Sequence, residues 1–437
     1  MATDAEKSST DLIARFGQLV DSQIETNPAL ARRLLLTGFK AERLRTQLLP
    51  RRELLPSGQL DNRLTLEGVV GALEHPDRMV LTSMFMPSEI FHAMGLYPVI
   101  AEAIGDFFSG AQAEQGFVTA AEQRSVPESY CSYHKVLVGA TAAGVIAAPK
   151  LIANCSVACD ANNLTFKWLA RHLDCERRYI DVPYDPSEDA VHYVADELRE
   201  LASAAQDVFS TKLDQRVLSQ HVARSIRALD VMERTLPQRA RRTMHTTMTI
   251  EMMRSCSMHM MLGTPQVDHL MDLVQQEIPA KTHPYAGLNL LWSHTMPYFS
   301  VPLQRAVDNS PLAQIVASEM CFDQWRPGGW RHDAGEPFEH MAERLVYNSY
   351  NGPAERRVNR LLHLARTTQA DGAVVFCHWG CKETMGASQL IKSSLEEAGF
   401  PTLVLDGDGC ARRNMPEGQT ATRVQAFLEM LQSGRRS

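Results

Sequence analysis

Two short apolar runs near the C-terminus constrain the fold most. Residues 373–376 (Ala-Val-Val-Phe) lead directly into Cys377-His378-Trp379-Gly380-Cys381-Lys382. After a helical stretch, residues 402–405 (Thr-Leu-Val-Leu) lead into Asp406-Gly407-Asp408-Gly409-Cys410. In an open parallel sheet, ligands bind at the carboxyl ends of the strands. Both cysteine-bearing loops are therefore expected on one rim of one sheet. Soft thiols gathered at such a rim point to iron–sulfur or zinc chemistry more than to structure.

Strand-like and helical stretches alternate elsewhere too, the signature of a parallel α/β sheet. Strands are expected at 79–82, 97–100, 144–148, 151–154 and 178–183, and again at 288–292, 314–317, 373–376 and 402–405. The predicted fold class is α/β, with two Rossmann-like parallel-sheet domains and additional helical segments. The expected division is a helical segment over 1–77, a first α/β domain over 78–186, a helical segment over 187–285 and a second α/β domain over 286–437. Ser88 is a candidate cap for a helix opening at Glu89. The methionines at 248, 252, 253, 258, 260 and 261 read as adaptable core rather than a metal site.

A chain of 437 residues with 44% hydrophobic and 22% charged residues has the make-up of a globular protein of two or three domains. Its net charge of −7 disfavours nucleic acid or an anionic membrane surface as a partner. Residues 1–9 are polar, unlike a signal peptide, and no apolar run approaches the length of a membrane span. The expected location is cytoplasmic, where nine cysteines are reduced thiols, metal ligands or core residues.

Cys131 follows a proline turn and precedes an apolar helix, a placement that favours the thiolate. Cys155 and Cys159, like Cys377 and Cys381, are separated by three residues and follow a strand. That spacing is not the CxxC of zinc ribbons, and no histidine pair stands behind it. Cys175 and Cys256 read as core or surface residues, while Cys321 again follows a strand. Three thiolates from separate loops can hold three irons of a 4Fe-4S cluster and leave the fourth open. His134 and His378 stand beside cysteines and are candidate hydrogen-bond or proton donors. Glu89 and His92 open the first domain's helix; for Glu89, a carboxylate at the dipole's positive end is the plainer reading. There is no GxGxxG after a strand, no GxxxxGK[ST] and no GxSxG, so a nucleotide fold lacks its phosphate loop and a serine hydrolase its elbow.

From about residue 80 onward the chain resembles the 2-hydroxyacyl-CoA dehydratase and benzoyl-CoA reductase family. The resemblance is carried by residues 86–95 (MPSEIFHAMG), by Tyr130-Cys131-Ser132 and by Cys159-Asp160. Its most specific motifs are His378-Trp379-Gly380-Cys381-Lys382, Asp406-Gly407-Asp408-Gly409-Cys410 and Gly418-Gln419-x-x-Thr422-Arg423-x-x-Ala426-Phe427. It implies an oxygen-sensitive lyase working as a dimer, with a similar second subunit or a second copy. It implies one iron–sulfur cluster per subunit on Cys131, Cys159 and Cys381. It also implies a separate ATP-hydrolysing iron–sulfur activator protein that injects one low-potential electron. That electron turns the thioester carbonyl of an acyl-CoA substrate into a ketyl radical anion, which expels the adjacent hydroxyl and gives an enoyl-CoA. The route answers a real difficulty: with the hydroxyl on C2, the acidic proton sits on the wrong carbon for ordinary elimination.

In some relatives extra cysteines hold a double-cubane cluster, which keeps Cys155, Cys377 and Cys410 as possible additional ligands. A low-potential reductase of the double-cubane or benzoyl-CoA type is therefore the alternative enzyme, and a non-catalytic electron-relay subunit is the alternative of another class.

Overall fold

The structure is a computed structural model and describes residues 4–330 and 336–436. Among the described residues, eight strands form two four-stranded sheets. The first holds β1 (Met79–Thr82), β2 (Tyr97–Ile100), β3 (Leu151–Cys155) and β4 (Glu176–Ile180). The second holds β5 (Leu288–Ser293), β6 (Ala313–Ser318), β7 (Gly372–His378) and β8 (Thr402–Gly407). Every pairing is parallel, and the orders are β2-β1-β3-β4 and β6-β5-β7-β8. The two sheets thus repeat one topology. In each, the direction of strand addition reverses between the first and third strands, so the switch points lie at β1/β3 and β5/β7. Crevices that receive ligands open there, outside the carboxyl ends.

Local sequence explains which strands lie inside. All seven residues of β7 are buried, as its unbroken apolar run requires of a strand covered on both faces. Its side chains alternate: Val374 and Phe376 join one core cluster, while Ala373, Val375 and Cys377 join the other. β4 carries Glu176, Arg177 and Arg178 and is largely exposed, which suits an edge strand.

Two expected strands are corrected. Residues 144–148 form no strand. The N–H groups of Val145 and Ile146 both donate to Ala140 O (2.8 and 3.0 Å), closing the preceding helix, and Gly144 turns the chain at φ +77. The strand expected at 178–183 runs instead from Glu176 to Ile180, because β3 offers partners only as far as Cys155↔Ile180. Ser88 precedes its helix but does not cap it; its hydroxyl donates to Leu262 O (3.3 Å).

Helices Asp4–Asp21, Pro28–Leu48 and Pro56–Glu74 precede the first sheet, and four helices between Glu188 and Lys281 separate the sheets. Methionines 248, 252, 253, 258 and 260 are buried among them, as core. Among the described residues, no helix is long and apolar enough to cross a membrane.

Candidate functional site

Three cysteines stand in the same local position. Cys131 is the N-cap of helix Ser132–Ala142, Cys159 of helix Asp160–Leu173 and Cys381 of helix Lys382–Glu397. Cys159 and Cys381 follow β3 and β7, the strands at the two switch points. An N-cap exposes unpaired amides and the positive end of the helix dipole to its side chain. Asn162 N–H donates to Cys159 Sγ (3.3 Å). Such donors favour sulfur in its anionic form.

Tertiary contacts draw the three loops together. The Tyr130 hydroxyl donates to Ala161 O (2.9 Å), tying the Cys131 loop to the Cys159 helix. Gly380, at φ +84, lies so close to the Cys131 loop that a Cβ there would sit 2.5 Å from Cys131 N. Ser132 Oγ donates to Asp408 Oδ1 (2.6 Å), which also accepts from the N–H groups of Cys410 and Ala411 (2.9 and 2.8 Å). One carboxylate thereby fixes both the loop after β8 and the first turn of the Cys131 helix.

Each of the three sulfurs faces an imidazole. Cys131 Sγ is 3.3 Å from His378 Nε2, Cys381 Sγ is 3.4 Å from His294 Nε2 and Cys159 Sγ is 3.8 Å from His134 Nε2. Gly409 N–H donates to His378 Nδ1 (3.0 Å), so the ring's proton is on Nε2 and points at Cys131. Burial holds the His134 pKa down at about 3 and that of His294 well below its usual value, the latter helped by Arg357, so these rings are neutral. His294 adopts φ +78, unusual for a residue with a side chain.

The thiols affect one another. Burial pushes Cys159 far up, and the charges of Glu102, Cys131 and Cys381 add to this. Cys131 is raised by burial and then by Cys381, and Cys381 is raised to about 11 by burial and Glu383. Three mutually repelling thiols can ionise together only against a strong positive charge. Several buried polar atoms nearby have no hydrogen-bond partner, His134 Nδ1, Glu102 Oε2, the Tyr133 hydroxyl and both amide atoms of Asn162 among them.

The donor set fits a polynuclear iron–sulfur group better than a single ion. Among the described residues the one trio of ligand atoms within 4.8 Å of one another is His294, Cys381 and Glu383, so the three sulfurs are spread more widely. Three thiolates on one tetrahedral zinc would stand about 3.8 Å apart. Glu383 is also engaged by Arg357 Nη1 through both its oxygens (2.9 and 2.7 Å), which sets a cation against any single ion bound there.

The remaining predicted residues lie elsewhere or differently. Cys377 points to the face of β7 opposite His378, among Val375, Ala387 and Ile391. Cys155 is buried at the end of β3, 3.6 Å from Ser83 Oγ. Cys410 is buried beside the site, its thiol donating to Gly105 O (3.6 Å). Glu89 is buried and paired with Arg344, and accepts from Ser225 Oγ (2.5 Å). His92 faces Met260 O at 2.9 Å.

His294 and Glu102 were not foreseen. Both stand just beyond a strand, His294 after β5 and Glu102 after β2, and that position was the available signal. Burial raises the Glu102 pKa to about 7.

Fold and site define a twin-sheet α/β protein whose thiols gather at the carboxyl ends of both sheets. The chain belongs to the family described as 2-hydroxyglutaryl-CoA dehydratase, D-component, which matches residues 83–431. It is also similar to the lactoyl-CoA dehydratase subunit alpha of Anaerotignum propionicum, at 22% identity over 394 residues covering 79% of this chain and 89% of that one.

Proposed function

We propose that the chain is a subunit of an oxygen-sensitive 2-hydroxyacyl-CoA dehydratase in which Cys131, Cys159 and Cys381 hold one 4Fe-4S cluster. It works as a dimer with a similar subunit or a second copy. A separate ATP-hydrolysing activator supplies the single electron that makes the substrate's thioester carbonyl a ketyl radical anion. The hydroxyl then departs from C2 as hydroxide, C3 loses a proton, and return of the electron leaves the enoyl-CoA. The observation that carries this reading is the convergence of three N-cap thiols, each facing an imidazole, from the loops of two sheets. The cluster, when bound, supplies low-potential one-electron transfer and Lewis acidity.

The chain's own groups serve position and protons. The three helix N-termini offset the negative charge of the thiolates. Glu102, within electrostatic reach of Cys131 and Cys159, has its pKa raised by burial to about 7, where a carboxyl can give a proton to a departing hydroxide and take one back. Tyr133, buried against the His378 ring, and the interlocked loops limit the access of water, which would quench a radical anion. The single-cluster form is favoured because Cys377 is turned onto the opposite face of its strand.

The test is iron and acid-labile sulfide per chain, on protein purified without oxygen, for the wild type and for Cys131→Ala, Cys159→Ala and Cys381→Ala. The expected content is about four irons per chain, lost in each variant. A wild type without iron, or variants that keep it, refutes the assignment. Water elimination from 2-hydroxyacyl-CoA, with activator and ATP, then tests the activity.

A further inference from the structure

We propose that His378 is a positioning residue that sets the reduction potential of a bound cluster by donating its Nε2–H to Cys131 Sγ. This rests on the cluster reading above and assigns the histidine its task.

Geometry fixes the donor. His378 ends β7, is 1% exposed and is held on both sides. On one side the Gly409 amide donates to Nδ1 at 3.0 Å. An amide nitrogen cannot accept, so Nδ1 carries the lone pair and Nε2 the hydrogen. On the other side Nε2 lies 3.3 Å from Cys131 Sγ. The same tautomer prevents Nε2 from ligating iron, because its lone pair is used by the N–H bond. Tyr133 packs against the ring at 5.1 Å between centroids and leaves it little room to turn. Asp408 Oδ1, at 3.7 Å from Nδ1, is beyond hydrogen-bond reach and is already satisfied by Ser132 and two amides. Among the described residues, no other hydrogen-bond acceptor is in contact with Nε2.

A hydrogen bond to a ligating sulfur stabilises the reduced cluster more than the oxidised one, since the added electron increases the charge on sulfur. Hydrogen bonds to the sulfurs are among the main controls of such potentials. Inside a buried site the effect is not screened by water. Removing the donor therefore lowers the potential.

The test is a potentiometric titration of the bound cluster, followed by the electron paramagnetic resonance signal of its reduced form, in wild type, His378→Ala and His378→Gln. His378→Ala is expected to make the reduction equilibrium constant about tenfold less favourable, or 59 mV lower for one electron. His378→Gln, whose amide can donate in the same place, is expected to recover most of the shift. An alanine variant that keeps its iron and titrates within twofold of wild type overturns the proposal. So does a glutamine variant no better than alanine, which would indicate a packing role only. If the alanine variant loses its iron, wild type and His378→Gln labelled with 15N-histidine give the answer: a weak 15N coupling to the reduced cluster that is present in wild type and lost in His378→Gln supports the N–H···S bond of His378, and couplings that are the same in both overturn it, since His134 and His294 face the other two sulfurs. A wild-type chain with no iron refutes the cluster reading itself, an outcome distinct from all of these.

Discussion

Gly380→Ala is the sharpest test of how the thiol loops are held. Gly380 sits at φ +84, a region that costs a residue with a Cβ about 1–2 kcal/mol. The new methyl carbon would lie 2.5 Å from Cys131 N and 2.7 Å from both Cys131 Cα and Tyr130 C. All three are backbone atoms, so no side chain can swing aside. Ordinary contact begins at 3.4 Å, so the loop carrying Cys131 must retreat by roughly 0.9 Å. Overpacking of this kind costs about 1–3 kcal/mol. The total is about 2–5 kcal/mol, and the displacement falls directly between Cys131 and Cys381. Urea denaturation reads the stability loss, and iron retained per chain under a chelator reads the site. Iron retention is expected to weaken about 10- to 100-fold, the usual effect of disturbing a metal ligand's supports. Gly386→Ala, in the helix that Cys381 caps, is the control: a Cβ there meets nothing within 4 Å, and the variant should be about 0.5–1 kcal/mol more stable with unchanged iron. A Gly380→Ala protein with wild-type stability and iron would refute the reasoning that these two loops interlock through their backbones.

Two further outcomes follow. Asp308 has its pKa raised to about 7 by burial, against about 3.9 in an unfolded chain. The folded state therefore holds a proton there that the unfolded state has lost. The stability from this group is full below about pH 4 and is lost as pH rises through about 7, by about 2 kcal/mol after allowance for partial exposure. Asp308→Asn keeps an acceptor for Met248 N–H and should flatten this part of the thermal-midpoint-versus-pH curve; an unchanged slope contradicts the assignment. Cys377→Ala should cost about 1 kcal/mol from the lost packing and leave iron per chain unchanged, whereas loss of iron would restore the double-cubane reading.

The fold was legible where pattern and burial agree. The apolar run of β7 could bury its side chains only in a sheet covered on both faces, and the cysteine-bearing loop after it marked the carboxyl end. Residues 144–148 show the opposite case. Their composition suits a strand, but the same amides can close a helix, and only the position of Ala140 O decides between these uses. β4 was placed two to three residues late because an edge strand has little apolar signal, and its length is set by its partner β3. Cys155 and Cys377 looked equivalent to Cys159 and Cys381 in spacing. The two-residue period of a strand puts Cys377 on the face away from His378, and a one-dimensional count of cysteines does not show this until the strand's end is known.

By itself, then, the sequence determined the α/β class, the two similar units and the candidate thiols, because strand-forming runs and helix starts are local properties of residue type and spacing. The tertiary structure alone decided the strand order that puts Cys159 and Cys381 at matching switch points, since pairing order depends on how distant segments pack. It likewise brought Cys131, Cys159 and Cys381 within electrostatic reach of one another, with His294 and Glu102 beside them. Those arrangements depend on contacts between distant segments, such as His378 with Cys131, 247 residues apart, and Ser132 with Asp408, 276 apart, which no local pattern records.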